Sequence, residues 1–331
     1  MRQPAGSQRE ERNKTTMHIF ISGSLAYDRI MDFPGRFADH ILPDKIHVLN
    51  VCFNINGLVE KFGGTAGNIA YTLSLLEESA TIIATAGQDF ARYGEWLAKN
   101  RLSDRWIKII PGVLTAGAYI TTDHDDNQIT AFNPGAMAFA ADLPPLDGIK
   151  REALVFIAPG NKQDMMALAG KARDAGVPYY FDPGQSLNTW ERDELRQTVS
   201  GAQCFISNDY ELSQFLQVAE WSMAMLYEHV QVVITTLGPD GATLDLRGEK
   251  LLIPAAPVAE ALDPTGAGDA FRAGLLKGRS MGIDWDISCQ MGVVAATYAV
   301  EQYGTQEHYT DWRAFRRRYQ THFGPLLNDL T

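Results

Sequence analysis

Short runs of β-branched and aromatic residues alternate along the chain with segments whose apolar positions recur every three to four residues. The runs predict strands over 17–22, 81–86, 106–110, 153–158, 178–182, 203–207 and 231–236. The periodic segments predict helices over 66–77, 89–100, 162–175, 191–199, 209–217, 269–281, 285–301 and 310–321. Strand then helix, repeated, implies an α/β fold: a doubly wound, mostly parallel sheet with helices on both faces. Two stretches break the rhythm. Residues 44–60 alternate without a helical period, and residues 115–133 read as a hairpin turning at 123–127. Both are assigned to a small β lid, inserted discontinuously into an α/β domain formed by 17–43, 61–114 and 134–331. The polar residues 1–16 are expected to be a disordered tail.

Composition narrows the class. The 331 residues carry a formal charge of −11 and are 45% hydrophobic, enough to bury a large core. A negative surface repels phosphate backbones and anionic lipid, which argues against nucleic-acid and membrane partners. The three cysteines, Cys52, Cys204 and Cys289, make neither a disulfide framework nor a zinc pattern and read as reduced thiols of a cytoplasmic protein. The turn Asp123-His124-Asp125-Asp126-Asn127 has the acidity of a calcium loop. It lacks glycine at the sharp bend, and Pro134 stands where the closing Glu belongs, so a solvated turn is expected.

In open parallel sheets, ligands bind beyond the carboxyl ends of the strands. Gly23-Ser24, Asp182-Pro183-Gly184, Ser207-Asn208-Asp209 and Thr235 through Gly238 all follow predicted strands and should share that rim. The strongest chemical signal is Leu262-Asp263-Pro264-Thr265-Gly266-Ala267-Gly268-Asp269-Ala270-Phe271. Three small residues open onto a helix, whose unpaired N–H groups attract anions. Asp269 at that start reads in two ways: a carboxylate satisfying orphan amides, or a base beside a phosphate cradle.

That segment resembles the C-terminal signature of the ribokinase-like (PfkB) kinases. The resemblance implies that Asp269 is the catalytic base and that Gly266, Ala267 and Gly268 form an anion hole. Gly63-Gly64-Thr65-Ala66-Gly67-Asn68 resembles the family's N-terminal signature, implying that Gly64 and Asn68 contact substrate hydroxyls. Ser24 and Asp28, after the first strand, stand where family members bind sugar. Asn208-Asp209-Tyr210-Glu211 resembles the family's Asn-x-x-Glu motif, implying ATP contact at Asn208 and a Glu211 that acts on Mg²⁺ through water. Thr235, Gly238 and Gly241 stand in the segment that lines the nucleotide site, and Asp263 and Thr265 are candidates for K⁺.

The N-terminal half, with Asn133-Pro134-Gly135-Ala136-Met137 and Gly304-Thr305-Gln306-Glu307, is most similar to bacterial adenosine kinases of this family. The resemblance implies an ATP-dependent kinase of a ribose-containing nucleoside, adenosine first, with Phe132 against the base. Ala118 stands where a second aromatic is expected. A ribose or fructose kinase is the alternative, and a non-catalytic ligand sensor the alternative of another class. The alternation over 47–55 adds the expectation of a homodimer through the lid.

Overall fold

The computed structural model describes residues 17–41, 47–48, 50–125, 127–150 and 152–326. The tail expected over 1–16, and residues 44–46, 49 and 126 of the expected lid, lie outside them. Thirteen strands occur among the described residues: β1 (His18–Ser22), β2 (Ala26–Asp32), β3 (Leu58–Gly63), β4 (Ala80–Ala86), β5 (Ser103–Ile109), β6 (Ala116–Thr122), β7 (Gln128–Asn133), β8 (Ala153–Ile157), β9 (Tyr179–Phe181), β10 (Cys204–Asn208), β11 (Val232–Thr236), β12 (Ala242–Leu246) and β13 (Glu249–Ile253). The helices are α1 (Phe37–His40), α2 (Thr65–Leu75), α3 (Ala91–Lys99), α4 (Lys162–Ala175), α5 (Arg192–Val199), α6 (Asp209–Ala219), α7 (Met223–His229), α8 (Ala267–Ser280), α9 (Trp285–Val300) and α10 (Trp312–Phe323).

Nine strands form one sheet in the order β13-β12-β11-β10-β9-β8-β1-β4-β5. It is parallel from β5 to β11, with an antiparallel hairpin, β12–β13, on one edge. The pleat sends alternate side chains to opposite faces. Ile19, Ile21, Leu154 and Phe156 therefore join one core with α2, α3, α8, α9 and α10. Phe20, Val155 and Ile157 join another with α4 to α7. Burial on both faces is why these strands read as continuous apolar runs.

The chain runs β1, β4, β5 outward on one side and then restarts at β8 on the other side of β1. This reversal opens a crevice beyond the ends of β1 and β8, where open α/β sheets bind ligands. There the backbones nearly touch: Ser24 N–H donates to Pro159 O at 3.1 Å. A Cβ on Gly160 would lie 3.0 Å from Gly23 Cα.

A second sheet, β3-β2-β6-β7, stands apart from the first. The hairpin expected over 115–133 is present as β6 and β7. Two expectations change. Residues 26–32, read as part of the main body, form β2 in the interior of the second sheet. Its Asp28, Arg29 and Asp32 hid it from an apolar-run criterion. Conversely, no strand occurs among the described residues of 47–57. Phe53 instead packs on Phe33, Phe37 and His40, at ring distances of 4.7, 5.1 and 5.9 Å, so its apolar side chain fills an aromatic cluster rather than a strand row. The hairpin β12–β13 was also absent from the sequence reading. Its turn holds Arg247 and Gly248 at φ +54° and +99°, and Arg is an unusual residue for the first of those positions.

Candidate active site

The glycines of the N-terminal signature answer to three separate demands. Gly63 ends β3 opposite Ala26, and a Cβ there would lie 2.4 Å from Asp28 Oδ2. Its bareness seats the Asp28 carboxylate. Gly64 has φ +91°, and a Cβ would lie 2.6 Å from Ser24 O, so both its backbone angle and the close approach require glycine. Gly67 faces Tyr93, whose hydroxyl a Cβ would meet at 2.1 Å. The start of α2 is completed by Ser24. Its hydroxyl accepts from Thr65 N at 3.0 Å and lies 3.2 Å from Thr65 Oγ1. Ser24 is 8% exposed, so the structure gives it a part in seating α2.

Gly266 caps α8 in the left-handed region, at φ +80°. Asp269, the third residue of that helix, is half-buried, and its Oδ2 accepts from Asn68 Nδ2 at 2.8 Å. The two signatures, 201 residues apart in the chain, thus meet in one hydrogen bond. Burial pushes the Asp269 carboxyl up to about 6. The Arg272 guanidinium and the Asn68 amide oppose that rise, while Asp182 and Asp28 add to it. Asp28 is also pushed up to about 6, by burial and then by Asp263. Of the three expected anion-hole amides, Ala267 N–H already donates to Pro264 O at 3.1 Å, with Gly266 and Gly268 on either side of it.

Sequence reasoning missed the cation of the site. Arg272 is one turn on from Asp269 and 6% exposed. Its Nε is bonded to Asp182 Oδ2 and its Nη1 donates to Gly268 O at 2.9 Å. An Arg spaced i+3 from the base on the same helix was the available signal. Asp182 follows β9, so this ion pair ties α8 to the strand ends.

Asp263 joins two loops rather than facing open space. Its Oδ1 accepts from Thr265 N at 2.9 Å and its Oδ2 from Gly304 N at 3.0 Å. The positions considered for K⁺ are therefore neighbours in space. Asn208 and Glu211 form a reciprocal cap on α6: Glu211 N donates to Asn208 Oδ1 at 2.7 Å and Asn208 N to Glu211 Oε2 at 2.9 Å. Burial, then Asp182, raises the Glu211 carboxyl. Thr235 lies at the end of β11 beside Ser207. Gly238 has φ +58° with open space where a Cβ would be, whereas a Cβ on Gly241 would lie 2.1 Å from Ile253 O.

The second sheet carries Lys61, Asp28, Ala118 and Phe132 in one row, paired strand to strand and therefore on one face. Strand β3 is tied to the loop after α9, because Lys61 Nζ donates to Tyr303 O at 2.6 Å and Thr305 Oγ1 to Phe62 O at 2.7 Å. Phe132 is 52% exposed.

A half-buried carboxylate and a glycine-capped helix start, at the strand ends of a doubly wound sheet with a separate small sheet beside them, define a ribokinase-fold phosphotransferase. The chain belongs to the pfkB family of carbohydrate kinases, whose sequence profile matches residues 37–312, and it is an ATP-dependent kinase with an alcohol group as acceptor. It is 30% identical over 306 residues to the nucleoside kinase of Methanothermobacter thermautotrophicus, covering 91% of this chain and 98% of that one. Among solved structures it resembles Burkholderia thailandensis nucleoside kinase in complex with inosine, with TM-score 0.82, 36% identity and 92% and 98% of the two chains covered. The nucleoside kinase of Methanocaldococcus jannaschii, described as an archaeal member of the ribokinase family, follows at TM-score 0.81 and 25% identity, covering 93% and 99%. No helix among the described residues is long and apolar enough to cross a membrane.

Proposed function

We propose that the chain transfers the γ-phosphoryl group of ATP to the hydroxymethyl alcohol of a purine ribonucleoside, with Asp269 as base. The observation that carries the nucleoside is the row on the second sheet. Asp28 and Phe132 lie two strand spacings apart, about 10 Å. A carboxylate at one end accepts from a ribose diol, and an exposed ring at the other stacks on a flat base. A free sugar would leave Phe132 without a partner. Ala118 between them supplies no second ring, which leaves room for more than one purine. The inosine held by the Burkholderia enzyme supports this breadth, and adenosine and inosine are the first two candidates.

In the reaction, the acceptor hydroxyl gives its proton to Asp269 as its oxygen bonds to the γ-phosphorus, and ADP leaves. The start of α8 takes up charge on the transferring group. The second sheet acts as a lid that excludes water. Magnesium fits as a companion of the ATP phosphates. Among the described residues no three His, Cys, Asp or Glu side chains gather into a metal cluster, and Mg²⁺ keeps much of its water. Glu211 Oε1, the oxygen not used in the cap, would reach it through water; bound Mg²⁺ neutralises phosphate charge. Potassium would sit by the 263–265 and 304 loops. The apolar Leu58, Val59 and Ile129, half-exposed on the lid, suit pairing with a second copy of the chain.

Millimolar inosine or adenosine is expected to raise the melting temperature, by about 2.7 kcal/mol of stabilisation at one hundred times Kd. Ribose and fructose are expected to do little, and stabilisation by a free sugar alone would overturn the nucleoside reading. Turnover is expected to fall as pH drops through about 6, because the base must be unprotonated and its carboxyl titrates there. A kcat flat from pH 7 to pH 5 would contradict it. Gly63→Ala should displace the Asp28 carboxylate and raise KM for the nucleoside by tenfold to about a hundredfold, with the KM for ATP little changed.

A further inference from the structure

We infer that Gln306 is a positioning residue for the base: it fixes which way round the Asn68 amide sits, and so keeps an N–H rather than a carbonyl against Asp269. This rests on the reading of Asp269 as the base. Four side chains form an unbroken line. Trp96 Nε1 donates to Gln306 Oε1 at 2.7 Å, Gln306 Nε2 to Asn68 Oδ1 at 3.0 Å, and Asn68 Nδ2 to Asp269 Oδ2 at 2.8 Å.

The direction of the line follows from chemistry, not from the drawing of the amides. An indole N–H only donates, so the atom of Gln306 that faces Trp96 is its oxygen. The remaining end of Gln306 is then its NH₂. A second lock agrees with the first. Tyr93 spends its hydroxyl proton on Gly63 O, at 2.8 Å, and so offers Gln306 only a lone pair, which Nε2 meets at 2.8 Å. Burial pushes the Tyr93 hydroxyl well above its ordinary value, so that proton stays in place. With both NH₂ hydrogens committed, Asn68 must present its oxygen to Gln306 and its NH₂ to Asp269.

The consequence falls on the base. An N–H held against Oδ2 favours the carboxylate over the acid. If Asn68 were free to turn over, a protonated Asp269 would gain an acceptor and its protonated form would be stabilised. The other groups around the carboxyl are Arg272 on its own helix, Asp182 after β9, Asp28 on β2 and Tyr93 on α3. They set its general level and do not depend on the orientation of Asn68. Gln306 is 3% exposed and touches no reacting atom, and it comes from the loop after α9 whose Gly304-Thr305-Gln306-Glu307 run resembles bacterial adenosine kinases.

The test is the Asp269 titration, followed by carboxyl ¹³C NMR and assigned by its loss in Asp269→Asn. Gln306→Met conserves volume and adds no charge. It is expected to raise the midpoint by about half a pH unit to one unit, and to move the acid limb of kcat by the same amount. Gln306→Met in an Asn68→Leu background is expected to add no further shift, because the effect passes through Asn68. If Gln306→Met does not fold, Trp96→Phe, which keeps the ring stack on Phe62, removes one of the two locks and should shift the midpoint in the same direction by less. An unmoved midpoint in the folded variant, or a shift that persists without Asn68, overturns the inference. Neither outcome touches the base assignment, which fails separately if Asp269→Asn keeps its turnover.

Discussion

Asp269→Asn is expected to lower turnover by about 10²–10⁴ while leaving ATP affinity within a few-fold of wild type. The substitution keeps the size of the side chain and its place as the third residue of α8, so the helix start is unchanged. What is lost is a group able to take the acceptor's proton. The loss should appear in kcat more than in KM for either substrate, because proton transfer belongs to the transition state. Asn68 will still face position 269, now amide to amide, and the fold should survive. Steady-state kinetics with a direct ATP-binding titration checks the split, and near-wild-type kcat would remove Asp269 from the base role.

The second large effect is on stability. Arg272 and Asp182 are an ion pair with side-chain exposures of 8% and 3%. Removing one partner leaves the other charge buried and alone, which costs about 3–5 kcal/mol. Arg272→Met should therefore lower the urea midpoint markedly with little change in the slope. Arg272→Met/Asp182→Asn should recover part of the loss, because the stranded charge is gone and the amide oxygen still accepts from Gly184 N, as Asp182 Oδ1 does at 3.0 Å. Arg272→Met alone removes the cation that holds the Asp269 carboxyl down, so its acid limb of kcat should move to higher pH. An urea midpoint unchanged in Arg272→Met would mean that the pair contributes nothing net.

What the sequence disclosed follows from how each feature is encoded. The buried parallel strands are written as apolar runs, because both faces touch helices, and β1, β8 and β11 were legible for that reason. The strand β2 was not, since Asp28, Arg29 and Asp32 break up any apolar run in it. Segment 47–57 erred the other way: its alternation exists, but its Phe53 completes a Phe33–Phe37–His40 cluster. In the site, the glycines at the helix starts were legible because helix starts and left-handed turns have local residue rules, whereas Asp269 read in two ways until the resemblance to the family signature favoured the base. Gly63 and Gly64 show how local those rules are, one yielding space to a side chain and the other to a backbone. Arg272, Thr65 and Gln306 act through partners 90, 41 and 238 residues away, at Asp182, Ser24 and Asn68, and no periodicity in one chain encodes such a pairing.

The most direct measurement is the identity of the phosphorylated product. The chain would be given Mg²⁺, ATP and an equimolar mixture of inosine, adenosine, ribose and fructose, and the products resolved by mass spectrometry beside the Asp269→Asn variant. The account predicts nucleoside monophosphate matching the ADP released, and almost none from the variant. Phosphorylated ribose or fructose as the main product, or equal yields from the two proteins, would contradict it.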